Sequence, residues 1–232
     1  MTKRPKVLHE LRTVHYGPSH WNTLAELRKR ALRVMEDLET IGLRPVVHGS
    51  VARGDVSSSS DIDIVILSLV PSYRVELAVG SGIRRELVQA TPSSVLKGHI
   101  HVDDRTVISF PLFRMMSREL DFYKWGGVLD SEGIRKEERV PGVDKRLLLI
   151  QPTVTGHTES GVIGYEHLVA KRIGVGVGIA EERVRVLTRR DAVGRTGVYL
   201  THTLTEDENF EETANALADR DPALRRTMKR RG

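Results

Sequence analysis

From residue 23 to residue 41 the apolar side chains Leu24, Leu27, Ala31, Val34, Leu38 and Ile41 return at steps of three and four, which lines them along one face of a helix. Thr23 and Glu26 have the spacing of a capping box, and Gly42 followed by Pro45 supplies a stop. Beyond that stop the period changes. Residues 43–48 and the β-branched run 62–69 read as strands, with Gly49 breaking the chain between them. Strands are also expected at 99–102, 106–113 and 119–125, separated by Asp103-Asp104-Arg105 and residues 115–118, as in an antiparallel meander. A helix is expected within 73–89, weakened by Gly80 and Gly82. Helix, strand, turn and then strands in series define an α+β chain whose mixed sheet is flanked by helices.

After residue 140 the texture shifts. Residues 146–151 read as a strand, 155–164 as a loop, and 165–173 and 179–188 as helices around a Gly-rich turn, followed by a strand at 198–203. The expected organisation is an N-terminal arm at 1–19, a main domain at 20–150, a smaller helical or winged-helix domain at 151–205, and a helix with a basic tail at 206–232. The formal charge of +5 invites a nucleic-acid reading. The last eight residues alone hold Arg225, Arg226, Lys229, Arg230 and Arg231, and without these five the 36 Lys and Arg fall to 31, matching 31 Asp and Glu. The surplus therefore belongs to a tail, expected to be solvated and disordered, and not to the body. With no cysteine there can be no disulfide, thiolate nucleophile or cysteine-held zinc. No stretch has the apolar length of a signal peptide or a membrane span, so a soluble, cytoplasmic protein is expected.

Chemistry concentrates in His48-Gly-Ser-Val-Ala-Arg-Gly-Asp-Val-Ser-Ser-Ser-Ser-Asp-Ile-Asp-Ile. On a strand, Asp61 and Asp63 project to one face while Ile62 and Ile64 face the other. Two adjacent carboxylates stay ionised cheaply only with a cation between them, and a hard divalent ion such as Mg2+ is the natural occupant. Gly49 lets the backbone approach an anion, Ser50 adds a hydroxyl donor, and Arg53 can reach the same oxygens or pin the loop. A triphosphate suits that turn.

Gly49-Ser50, Arg53-Gly54-Asp55 and Ser60-Asp61-Ile-Asp63-Ile together resemble the signature of the nucleotidyltransferase superfamily related to DNA polymerase beta, most closely its minimal nucleotidyltransferase branch. The resemblance implies two Mg2+ ions, a nucleoside triphosphate donor with ATP first in expectation, transfer of a nucleoside monophosphate to an acceptor hydroxyl, and pyrophosphate release. It also implies that Gly49 and Ser50 hold the triphosphate and that Asp61 and Asp63 hold the metals. A third family carboxylate lies on a later strand. Asp121, in an apolar-Asp-apolar setting, is the expected third metal ligand and catalytic group, with Asp103 and Asp104 as rivals in ordinary turn composition.

The acceptor is left open among an RNA end, a small molecule such as an aminoglycoside, and a protein hydroxyl. His99, His101 and Asp103 alternate on one strand and offer a weaker metal set, while Trp125 reads as core. Arg183, Arg185, Arg189, Arg190 and Arg195 would face phosphate if the helix pair after residue 165 entered a groove. A second hypothesis therefore stands beside the enzyme: a nucleic-acid-binding regulator whose nucleotidyltransferase-like domain only senses nucleotide.

Overall fold

The structure is a computed structural model and describes residues 4–8, 10–194 and 197–232. In chain order the elements are β1 (Arg12–His15), α1 (Pro18–Thr40), β2 (Pro45–His48), α2 (Ser50–Arg53), β3 (Ile62–Ile66), α3 (Ser72–Val79), β4 (Arg84–Gln89), β5 (Leu96–His101), β6 (Thr106–Pro111) and α4 (Ser117–Gly126). They continue as β7 (Val128–Leu129), α5 (Ser131–Arg135), β8 (Gly142–Val143), β9 (Leu148–Thr153), β10 (Gly156–Gly161), α6 (Glu166–Ile173), α7 (Val177–Val193), β11 (Leu200–Thr203), α8 (Phe210–Arg220) and α9 (Pro222–Arg231). The chain forms two interleaved units, the first drawn from residues 1–29, 47–60 and 120–196, the second from 30–46, 61–119 and 197–232. A single division near residue 150 does not describe it.

The first unit carries an antiparallel sheet in the order β1-β10-β9-β8, with Val14 opposite His157 and Ile150 opposite Glu159. Residues 155–164, expected as a loop, thus contain a strand, and the expected N-terminal arm supplies the strand beside it. Trp125, Val143, Leu147, Leu149, Val162, Val169 and Ile179 form the unit's buried core, so Trp125 is a packing residue. Gly174, at φ +77, ends α6 in the left-handed region that glycine tolerates, and residues 174–176 turn the chain into α7. The next described strand after the pair, β11, pairs antiparallel with β4 in the second unit. Arg195 lies outside the described residues.

In the second unit the strands run β11-β4-β5-β6-β3, with β3 parallel to β6 and the other pairs antiparallel, which makes the sheet mixed. One face is apolar. Ile62, Ile64, Leu96, Ile100, Ile108 and Phe110 are buried, and Phe210 of α8 meets Phe110 edge to face at 5.0 Å. Gly98 is required there, because a Cβ would stand 2.4 Å from the Phe110 ring. The basic C-terminus, expected as a disordered tail, is helix α9: Asp221 caps it, Leu224 is buried, and Arg231 reaches Glu119 at 2.7 Å. A salt bridge and an apolar anchor outweigh the tendency of a charge run to stay solvated.

Three further expectations change. Helix α1 starts at Pro18, so Thr23 lies inside it and bonds back to the Ser19 carbonyl instead of capping, and Met35 is buried where Val34 was expected. The stretch 73–89 divides into α3 and β4, with Gly82 at φ +64 where any Cβ would strike the His101 carbonyl. Residues 119–125 belong to helix α4, not to a strand. Glu119 accepts the Met116 N–H at the helix start, the glutamate half of a capping box, and that local bond decides between the two periods.

Candidate functional site

In the first unit, β2 delivers the chain to Gly49, whose φ of 79° and ψ of −136° suit glycine alone and whose missing Cβ would meet nothing within 4 Å. The Gly49 N–H donates to the Gly127 carbonyl at 2.9 Å, which ties the turn down and leaves its outer side open. Ser50 opens α2, and Gly54 closes it at φ +94. Behind the turn, Arg53 is buried. Its Nε and Nη2 donate to Asp55 at 2.9 and 3.1 Å, and its Nη1 donates to the Gly126 carbonyl. Of the two roles open to Arg53, the geometry supplies the pin. Gly126 and Gly127 are glycines because a Cβ would lie 2.2 Å from His48 Nε2 in one case and 2.9 Å from Arg53 Cγ in the other.

In the second unit, Asp61 immediately precedes β3 and Asp63 is its second residue; both are exposed, while Ile62 and Ile64 between and after them are fully buried. The alternation places both carboxylates on the polar face of the sheet, as the sequence requires. Across from Asp63 on β6 stands Val107, so the neighbouring strand offers no carboxylate at that register.

The third-carboxylate candidates sit on other elements. Asp121 sits on helix α4 in the first unit, where its Oδ2 accepts the Gly176 N–H at 3.0 Å, just ahead of α7. The strand on which its assignment rested is absent. Asp103 occupies the turn between β5 and β6, takes bonds from the Arg105 N–H at 2.8 Å and Arg30 Nη2 at 3.0 Å, and neighbours Asp104. Burial pulls the Asp103 carboxyl upward, but the bonds from Arg105, Thr106 and Arg30 outweigh it and hold it below its ordinary value.

His99 and His101 do share a strand face, but they serve different partners. His99 Nδ1 meets Ser109 Oγ at 2.9 Å, and His101 Nε2 meets Glu86 Oε2 at 2.9 Å. Among the described residues no group of three or more acidic or histidine side chains is arranged to hold a metal ion. The Asp61 and Asp63 pair nevertheless suits Mg2+, which keeps several waters and is often held by one or two carboxylates together with substrate phosphates.

One polar cluster was not foreseen. In the first unit Tyr16 Oη meets His157 Nδ1 at 2.6 Å, His157 Nε2 lies 3.3 Å from Glu159, and Glu159 accepts from Arg146 at 2.6 Å. Burial, then the Asp55 carboxylate, push the Tyr16 phenol well above its ordinary value. For Glu159, burial acts upward, yet the bond and charge of Arg146 with help from His157 keep its carboxyl low. The alternation of His157 and Glu159 was the available signal, hidden because their stretch read as loop.

Residues 28–141 match the family model described as a nucleotidyltransferase domain, and this span contains Gly49, Ser50, Asp61 and Asp63. The chain therefore carries a domain of the nucleotidyltransferase family. No curated protein and no solved structure matches it significantly. Among the described residues no helix is long and apolar enough to cross a membrane.

Proposed function

We propose that the chain is a Mg2+-dependent nucleotidyltransferase that moves a nucleoside monophosphate from a nucleoside triphosphate, ATP first, to an acceptor hydroxyl with release of pyrophosphate. The observation that carries this reading is the pair Asp61 and Asp63, exposed on one strand face and following a glycine turn of family pattern by ten residues. Gly49 and Ser50 hold the triphosphate, Gly49 by leaving room for an anion at the turn and Ser50 through its backbone N–H and hydroxyl donors. Arg53 does not touch substrate; it holds that turn against Gly126 and Asp55. Asp61 and Asp63 hold the metal, which when bound neutralises phosphate charge and lowers the pKa of an attacking hydroxyl. The acceptor is an RNA end, a small molecule or a protein hydroxyl.

Val107 opposite Asp63 and the helical setting of Asp121 favour the second reading to one extent: two carboxylates without a third on the neighbouring strand at that register are also what a nucleotide sensor without turnover would have. The test is incubation with each α-labelled nucleoside triphosphate, Mg2+ and cell extract, comparing wild type with Asp61→Asn and Asp63→Asn. Label transfer lost in both variants supports catalysis. Tight nucleotide binding with no transfer by the wild type supports the sensor, and equal transfer by wild type and variants removes the enzyme reading.

A further inference from the structure

A cleft of about 310 Å3 lies within the first unit at the C-terminal end of α2, the end away from Gly49. Except for Asp55 and Val56, the residues that line it flank the nucleotidyltransferase match, and nothing in the proposed reaction uses them. Its walls divide by chemistry. Tyr16 and His20 lie ring on ring with centroids 3.6 Å apart and planes at 20°, and His20 Nε2 is fixed to the Gly54 carbonyl at 2.8 Å. Val14 and Val56 add apolar surface. Asp55 brings carboxylate oxygens and Arg146 brings guanidinium N–H groups, both already oriented by ion pairs, Asp55 by Arg53 and Arg146 by Asp144 and Glu159.

We propose that this cleft is a binding site for a nucleobase-bearing small molecule of the purine nucleoside class, distinct from the triphosphate turn. The cleft is concave and its aromatic and polar walls are preset, as in small-ligand sites, with more polar groups than most such sites carry. A flat heterocycle gains stacking on the Tyr16 and His20 pair, and a purine edge presents both N–H donors, which Asp55 accepts, and ring or carbonyl acceptors, which Arg146 satisfies. A plain hydrocarbon would make no hydrogen bond with either charged wall, and an inorganic anion would face Asp55. The Tyr16, His157 and Glu159 bonds keep the ring wall in place before any ligand arrives, which lowers the ordering cost of binding.

Guanosine and adenosine are suitable probes, because without phosphates they have little hold on the Gly49 turn. With the full chain, titration followed by imidazole NMR is expected to give saturable shifts of the His15, His20 and His157 rings, with transfer of magnetisation from the base H8 to the Tyr16 and His20 ring protons. Gly17 lines the cleft, lies outside the left-handed region, and has nothing within 4 Å of an ideal Cβ, so Gly17→Leu should fold normally while filling the space. It should weaken nucleoside binding by about tenfold or more, the effect of losing about 1.4 kcal/mol of contact. Gly49→Ala should leave nucleoside binding unchanged. No saturable shift with either nucleoside, no ring contact from H8, or binding indifferent to Gly17→Leu would overturn the proposal. So would loss of nucleoside binding in Gly49→Ala, which would place the base at the triphosphate turn; failed label transfer with intact nucleoside binding would count only against the enzyme.

Discussion

Asp55→Ala should be among the most damaging single substitutions in the first unit. Arg53 is 5% exposed, and two of its nitrogens donate to Asp55 at 2.9 and 3.1 Å in a two-pronged pair whose side chains are each 6% exposed. Removing the carboxylate leaves a guanidinium with, among the described residues, only the Gly126 carbonyl as a fixed acceptor, in a place water reaches poorly. Breaking one side of such a buried pair costs about 3–5 kcal/mol, because the surviving charge stays desolvated without its partner. Against a typical domain stability of about 5–15 kcal/mol, that is a large share. Arg53 also packs its stem under Gly127, so Arg53→Met keeps the packing and removes the charge. The double variant Arg53→Met with Asp55→Ala should therefore recover at least half of the loss. Urea titrations of wild type, both single variants and the double variant measure the coupling directly. A loss below about 1 kcal/mol in Asp55→Ala would mean that the pair is screened like a surface bridge. A double variant worse than Asp55→Ala would assign the cost to lost packing and refute the charge account.

Gly49→Ala meets no steric obstacle, so its cost is backbone strain alone, roughly 1–3 kcal/mol, read as a lowered unfolding midpoint; affinity of the folded variant for a nucleoside triphosphate should fall by about tenfold or more in a filter-binding titration. His99 is held neutral, its pKa lowered from the ordinary 6.5 to about 3 by burial first and then by Lys97 and His101. The unfolded chain then binds the extra proton, so this group's contribution is complete above pH 6.5 and falls by about 1.4 kcal/mol per unit as pH drops from 6.5 toward 3. His99→Gln should flatten that part of a stability profile measured by urea titration at successive pH values; an unchanged slope would assign it to other groups. Glu119 accepts from the Val95 and Met116 N–H groups and from Arg231 at 2.7–2.8 Å, so Glu119→Ala should cost roughly 2–4 kcal/mol and expose α9 to protease, whereas Arg230→Ala on the exposed side of α9 should do neither.

How far the sequence could be read depended on the range over which each element is decided. The two aspartates were legible because a strand's alternation is local: Ile62 and Ile64 turn inward, so Asp61 and Asp63 must turn out together. The helix α1 was legible for the same reason, down to its stop at Gly42. The segment 117–126 was not, since Leu120 and Phe122 alternate as in a strand while Glu119, one position earlier, caps a helix; two local signals competed and the hydrogen bond prevailed. Strand β10 was lost for a different cause. Its residues Gly156, His157, Thr158, Glu159 and Ser160 are poor in the β-branched and aromatic types that announce strands, and the polar groups become affordable inside only because Tyr16, Arg146 and Arg12 arrive to satisfy them.

That last dependence has a consequence for where function can be sought. The pairing of β1 with β10 joins residues 12–15 to 156–159 and encloses polar side chains that neither strand could bury alone. A partly buried chain of phenol, imidazole, carboxylate and guanidinium, with His157 and Glu159 at its buried centre, holds its members in place by mutual bonds. Rigidity of that kind suits recognition of a shaped ligand, and the cleft stands against it. Asp61 and Asp63, by contrast, stand exposed, just before and on β3. The chain thus presents two features of different legibility. Its short Gly-Ser and Asp-x-Asp signature can be recognised in one dimension, while any specificity built by β1 and β10 exists only after residues nearly a whole chain apart have met.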